Sequence, residues 1–318
     1  MNARSKATLF LLFFSPINAE LLTASSPPIE FFFPTTFIFL TLFYGTGVLI
    51  VHEAATEWKK GWPTIMVLGL AYGVIEEGLV TMSFFNSNWP DIAYLGTYGH
   101  FYGVNWVWCV GLSIFHSVWS ISVPILVTRM IFPSVAGQRL LQRRSIFAAL
   151  VIFPIISLLL TFSIANETGF VAPAPQYICA IAISIALILF ARRMPLRLFS
   201  PSNDRSSESV LRSGLSGFCF SAGFFLTMYL VPFLLPIPAV TIIMILLLTV
   251  ACARYFEKRI SVSGNPIHKW ALFIGLEMMF VAWAFVHEFA PAIPNTAGMS
   301  IVGIAYIMFF IWLRKRIR

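Results

Sequence analysis

The chain has 318 residues, 58% hydrophobic and only 11% charged, against about 45–50% and about 25% in an ordinary soluble domain. That balance excludes a soluble globular protein and predicts a polytopic membrane protein. The net charge of +8 does not point to nucleic acid, because the basic residues sit at the ends of apolar runs, where they carry topology.

In chain order, Arg4 and Lys6 precede an apolar stretch from Ala7 to Phe14, with small residues near Asn18-Ala19 and Pro16 close behind the run. A cleaved signal, a short first span and a re-entrant segment all fit this pattern. Ser25-Ser26-Pro27-Pro28 makes a turn-rich break. Nine stretches long enough to span a bilayer as helices follow, at 31–51, 62–85, 103–131, 146–164, 176–191, 214–233, 237–253, 270–290 and 297–313. The predicted fold is therefore all-α, a transmembrane helix bundle forming one integral-membrane domain over 31–318, after an N-terminal signal-like or short first span and outer linker over 1–30. The residues from Pro201 to Arg212 read as a Ser-rich linker.

Charge tests this count. All 21 Lys and Arg residues fall before the first apolar stretch, after the odd-numbered runs or at the chain end. Positive residues collect on the cytoplasmic side, so the expected location is a plasma membrane, multi-pass, with the C-terminus cytoplasmic and the segment from Pro16 to Glu30 outside. The four cysteines, Cys109, Cys179, Cys219 and Cys252, lie in separate apolar runs and read as small buried hydrophobes. No internal repeat is visible.

The second run contains Gly73-Val74-Ile75-Glu76-Glu77-Gly78-Leu79. An ionisable group inside a membrane needs a partner, a proton or a water-filled cavity, which makes the Glu pair the leading site candidate. At ~1.5 Å per residue, the pair lies about 21–22 Å from the basic end of its helix, and His116 about 22 Å from the basic end of the third. His287 lies at a similar height, about 26 Å along the eighth helix, whereas Glu277 is only about 10 Å along it. Asn105, Cys109, Ser113, His116, Ser117 and Ser120 recur at three- and four-residue steps, so they share one polar face that lipid would not tolerate. Gly69 and Gly73 form a small-xxx-small surface beside Glu76 for close approach of another helix. Adjacent helical residues point about 100° apart, so Glu76 and Glu77 cannot both aim at one atom. One is expected to work and the other to support it.

Two adjacent glutamates in one membrane helix and a histidine about forty residues later in the next resemble the CAAX-prenyl protease and bacteriocin-processing family of glutamate-type intramembrane proteases. That family's first motif, E-E-x-x-x-R, meets Thr81 at the Arg position. Its second, F-x-x-x-H, meets Leu112 four before His116. Its third, H-x-x-x-N, has no match close by: His287, five spans after the one that holds His116, is followed by Pro291 at the Asn position. The resemblance implies a hydrolase in which Glu76 or Glu77 activates water as general base and His116 stabilises the oxyanion or orients it, supported by His287, with a membrane-protein or peptide substrate. The same side chains, His116, His287 and Glu77, also suit a Zn²⁺ site with an open position. A proton-coupled transporter with a buried Glu/His site is the competing class. A non-catalytic protein whose polar core fixes helix pairing is the third. Membrane lipid is an expected partner in every case, and nucleic acid in none.

Overall fold

A computed structural model of the chain describes residues 1–200, 209–261, 265–289 and 295–317. The helices are α1 (Ala3–Pro16), α2 (Pro28–Phe31), α3 (Pro34–Glu57), α4 (Trp62–Val74), α5 (Trp106–Phe115), α6 (Val123–Ile131), α7 (Arg143–Thr168), α8 (Ala174–Arg193), α9 (Val210–Tyr229), α10 (Val231–Leu234), α11 (Pro238–Tyr255), α12 (Pro266–Phe289) and α13 (Met299–Arg316). Four π-helical turns continue helices: Ile17–Leu21 after α1, Ile75–Val80 after α4, His116–Ser122 joining α5 to α6, and Phe256–Ile260 after α11. A short hairpin pairs His100–Phe101 with Val104–Asn105.

Eight helices among the described residues are long and apolar enough to cross a membrane: Pro34–Glu57, Trp62–Val80, Trp106–Ile131, Arg143–Thr168, Ala174–Arg193, Val210–Tyr229, Pro238–Ile260 and Pro266–Phe289. They match eight of the nine expected spans. The ninth, 297–313, is α13, whose last turn carries Arg314, Lys315 and Arg316 and so falls short of that set on charge. Most of the linker read from Pro201 to Arg212, and Pro291, lie outside the described residues. Two boundaries move for local reasons. The second span ends at Val80, before Met82 turns the chain with a positive φ of 59°. The third starts at Trp106, because Asn105 closes the hairpin and caps the helix.

The N-terminal stretch is part of the bundle: Ser15, Pro16, Asn18, Ala19, Leu21 and Leu22 are buried, and α1 packs along α3 and α6. Its basic end and its apolar run are aligned with the neighbouring spans, so the π-turn after Pro16 brings Asn18 and Glu20 to the height of the Glu pair. A correction concerns the cysteines. Cys179 and Cys219 are exposed, and Cys109 and Cys252 are half-buried against the core.

Close helix contact fixes the centre. A Cβ on Gly73 would stand 2.9 Å from Ser113 Cα, and one on Gly69 would stand 2.7 Å from Ser117 Cα. The two glycines therefore let the backbones of α4 and of the α5 span touch, which is the use expected of that surface. Ser117 Oγ donates to the Met66 carbonyl across the same seam at 2.7 Å. At the basic ends, carboxylates clamp loops. Glu53 Oε1 accepts from the Leu140 and Leu141 amides at 2.7 and 3.3 Å, and Glu257 Oε2 from Leu198 and Phe199 at 2.8 and 2.9 Å. Each pair of bonds satisfies backbone donors that burial would otherwise leave unpaired.

Candidate functional site

Two π-helical turns supply the side chains of the centre, which meet beside the glycine seam. A π-turn widens the helix by one residue and re-aims its side chains, and such turns recur at functional sites. Here Ile75–Val80 presents Glu76 and Glu77, and His116–Ser122 presents His116. All three are buried. The divergence of the adjacent glutamates is resolved by the imidazole, which offers one nitrogen to each. His116 Nε2 lies 2.8 Å from Glu77 Oε1, and His116 Nδ1 lies 3.0 Å from Glu76 Oε2 and 3.0 Å from Ser120 Oγ.

The two carboxylates differ in what else they hold. Glu77 is saturated: besides His116, its Oε2 accepts from the Thr81 hydroxyl at 3.1 Å and from the Ser83 hydroxyl. Ser83 Oγ is itself fixed by Trp108 Nε1 at 3.0 Å. Thr81, at the position where the resembled family has Arg, thus supplies a neutral donor to the same carboxylate. Glu76 keeps different company. Its Oε1 accepts from the Tyr44 hydroxyl, and its Oε2 pairs with His116 Nδ1. The Tyr72 hydroxyl, one helical turn before Glu76, is buried within interaction reach of the same carboxylate, and its ring stands 6.1 Å from the His116 ring.

Tyr44 extends the centre to a third carboxylate. Its hydroxyl contacts both Glu76 Oε1 and Glu20 Oε1, and Glu20 Oε2 accepts from Ser26 at 2.9 Å. One hydroxyl carries one proton, so completing both bonds requires a proton on one of the two carboxyls. Glu20, Tyr44 and Tyr72 were absent from the sequence-based set. Glu20 follows a stretch readable as a signal, and the tyrosines resemble any other aromatic residue in an apolar run.

The other expected site residues divide. Ser120 joins the centre. Ser113 and Ser117 line the helix seam, and Asn105 is a helix cap whose Oδ1 accepts from the Trp108 amide at 2.9 Å and whose Nδ2 donates to Leu95 at 2.6 Å. His287 packs on Trp283 with ring centroids 5.2 Å apart, and its carbonyl accepts from Thr296 at 2.8 Å; none of its contacts reaches the Glu pair. Glu277 lies in a second buried group. Asn18 Nδ2 donates to the Trp119 carbonyl at 2.9 Å and approaches Glu277 Oε1 at 3.4 Å, and Tyr306 donates to Asn18 Oδ1 at 3.0 Å. Glu277 is fully buried, with Oε2 unpartnered.

Comparison with known proteins can now be set beside this geometry. The chain belongs to an uncharacterized membrane protein family, matched over residues 9–318. No curated protein and no solved structure matches it. The match begins within α1, ahead of the π-turn that carries Glu20, and runs through α13. As for a metal, Glu76, Glu77 and His116 each offer a ligand atom within 4.8 Å of the others. Two carboxylates and one imidazole suit a divalent ion, though such an ion would take one His116 nitrogen off its carboxylate. His287, expected as a zinc ligand, is not part of this group.

Proposed function

We propose that this family member is an intramembrane hydrolase that activates water on Glu76 to cleave a carbonyl substrate, a peptide bond of a membrane-embedded chain being the class the resembled proteases imply. The observation that carries the reading is the unequal company of the two glutamates around one imidazole. Glu77, bound besides His116 only by the neutral Thr81 and Ser83 hydroxyls, holds His116 in place. Glu76, whose partners His116 and the Tyr44 hydroxyl shared with Glu20 can both exchange protons, is the one to take a proton from water. The hydroxide equivalent attacks the carbonyl carbon, the proton passes through Glu76 to the leaving amine, and the cleaved bond is the C–N bond. The Tyr72 hydroxyl beside Glu76 is the donor assigned to the developing oxyanion, with His116 supplying charge beside it. Glu20 and Tyr44 exchange the extra proton with Glu76. This reading keeps α1 in the mature protein and puts the Lys- and Arg-rich ends in the cytoplasm, with the centre in the outer half of a plasma membrane.

The test compares membranes from cells carrying the wild-type chain, Glu76→Gln or Glu77→Gln at equal protein level, by mapping new peptide termini in membrane proteins. Termini present with wild type and lost in Glu76→Gln support the hydrolase. Identical maps for all three exclude it.

One observation favours a second reading. The Glu277, Asn18 and Tyr306 group adds another carboxylate deep in the bundle, as a proton-coupled transporter would require. It is tied to the first centre through the Trp119 and Ser120 carbonyls, the latter accepting from Ser15 at 2.7 Å. Backbone carbonyls cannot pass a proton on, which is why we place this reading second. Proton flux into reconstituted vesicles that Glu277→Gln abolishes would reverse the order.

A further inference from the structure

An apolar groove with an enclosed volume of about 70 Å³ opens between α4, the α5–α6 span, α9, α11 and α12, on the basic side of the Glu pair. Its wall includes Met66, Val118, Leu126, Phe220, Cys252 and Leu276. None of the groups assigned to the catalytic centre lines it. At its basic end stands Trp62, with Phe256 packed edge-on at 5.1 Å and the Arg129 guanidinium 4.9 Å from the Trp62 ring. Arg129 follows the wall residue Leu126 by one turn, and Lys269 precedes the wall residue Leu272 by one turn. The two cations lie within electrostatic reach of each other. Arg129 Nε is buried and has no hydrogen-bond partner.

Two like charges beside an apolar groove, one with a buried unpaired donor, call for an anion whose body is hydrocarbon. We infer that the groove seats part of one acyl chain of an anionic phospholipid, with the phosphate on Arg129 and Lys269. The fit is chemical at both ends. A phosphate diester takes charge-assisted hydrogen bonds from a guanidinium and relieves the repulsion between the cations, while the chain fills a wall that offers almost no polar surface. Trp62 sits where interfacial aromatics meet headgroups. The site is independent of the hydrolase reading, since the phosphate end faces away from Glu76.

The experiment is native mass spectrometry of the full chain released from nanodiscs containing equal dioleoyl phosphatidylglycerol and dioleoyl phosphatidylcholine. Wild type is expected to retain one phosphatidylglycerol per chain in preference to phosphatidylcholine. Arg129→Gln should lower that retention roughly tenfold or more, the cost of a charged hydrogen bond. Ala253→Phe, which fills the groove from its wall without touching the cations, should lower it as well. Equal retention of the two lipids by wild type overturns the assignment without any variant. So does undiminished retention in a folded Ala253→Phe chain, which would place the lipid on the outer surface. Displacement of the lipid by millimolar inorganic phosphate would show an ion site without a chain, and would also overturn it.

Discussion

The spans at the centre of this bundle and those at its rim differ in a direction opposite to that of a soluble protein. The 18-residue windows of Trp62–Val80 and Trp106–Ile131 are 78% buried, whereas those of Arg143–Thr168, Ala174–Arg193 and Pro238–Ile260 are only 11%, 17% and 17% buried. Yet the three rim spans have the highest mean hydropathy of the eight. In water the most apolar helix goes inside. In a bilayer apolar surface gains nothing from burial, and the centre is chosen by polar groups that need partners and by small residues that let backbones touch. Glu76, Glu77 and His116 with Gly69 and Gly73 meet both conditions; Leu158 and Phe162, each 70% exposed, meet neither.

The comparison predicts where substitution should hurt. The largest effect is expected for His116→Ala, which leaves two buried carboxylates without their shared partner. Removing one member of a buried ion pair costs about 3–5 kcal/mol, and two are orphaned here. Thermal unfolding in detergent, followed by loss of helical signal, should show a large fall in midpoint. A change within error would mean that the cluster is solvated and the centre does not depend on it. Gly73→Val comes next. Its side chain would be driven into Ser113 Cα, 2.9 Å from the Cβ position, and backbone cannot move aside as a flexible side chain can. Overpacking of this kind costs about 1–3 kcal/mol. Full stability would show that α4 and α5 are less closely packed than the seam requires.

Tyr44→Phe has a smaller predicted effect on stability and a more informative one on chemistry. It removes the hydroxyl that joins Glu20 to Glu76 while keeping the ring, so the expected loss is about 1–3 kcal/mol for the acceptors left unsatisfied. In the hydrolase reading it should also reduce the Glu76-dependent termini, because the extra proton no longer has its bridge. Metal analysis sharpens the same point. Protein purified without chelator should carry less than one zinc per chain if the His116 bridge between the two glutamates is the working state. Stoichiometric metal, lost in Glu76→Gln, would instead make Glu76, Glu77 and His116 its ligands.

Much of the centre was legible in the sequence because its constituents are costly. A Glu pair in an apolar run, a histidine at matching height and a glycine pair beside them all violate what lipid tolerates, and helix rise alone placed them together. What could not be read is what tertiary structure decides. Asn18 and Glu20 follow a short apolar stretch with basic flanks and a proline, which by itself fits a signal as well as a span. Only the packing of α1 against α3 and α6 shows where they point. Tyr44 and Tyr72 become polar residues of interest only through the groups their hydroxyls meet. His287 stands apart from the Glu pair for the complementary reason: height along a helix says nothing about its angle around the bundle, and its ring packs on Trp283.

The smallest expected effect tests the rim. Phe162 in α7 would be the obvious core residue of a soluble helix, and truncating a buried Phe there costs about 3–5 kcal/mol. Here its exposed ring meets lipid, and Phe162→Ala exchanges one lipid contact for another, so stability should change by no more than about 0.5 kcal/mol. The matched control is Phe43→Ala in α3, whose ring is buried against Tyr44, Tyr72 and Phe153 at 5.5, 5.5 and 5.2 Å. It should leave a cavity behind Tyr44 and lower stability several-fold more than its rim counterpart. If both truncations cost the same, α7 is covered by something besides lipid, and the division between an inner polar group of spans and an outer apolar ring would need redrawing with a second protein surface at the rim.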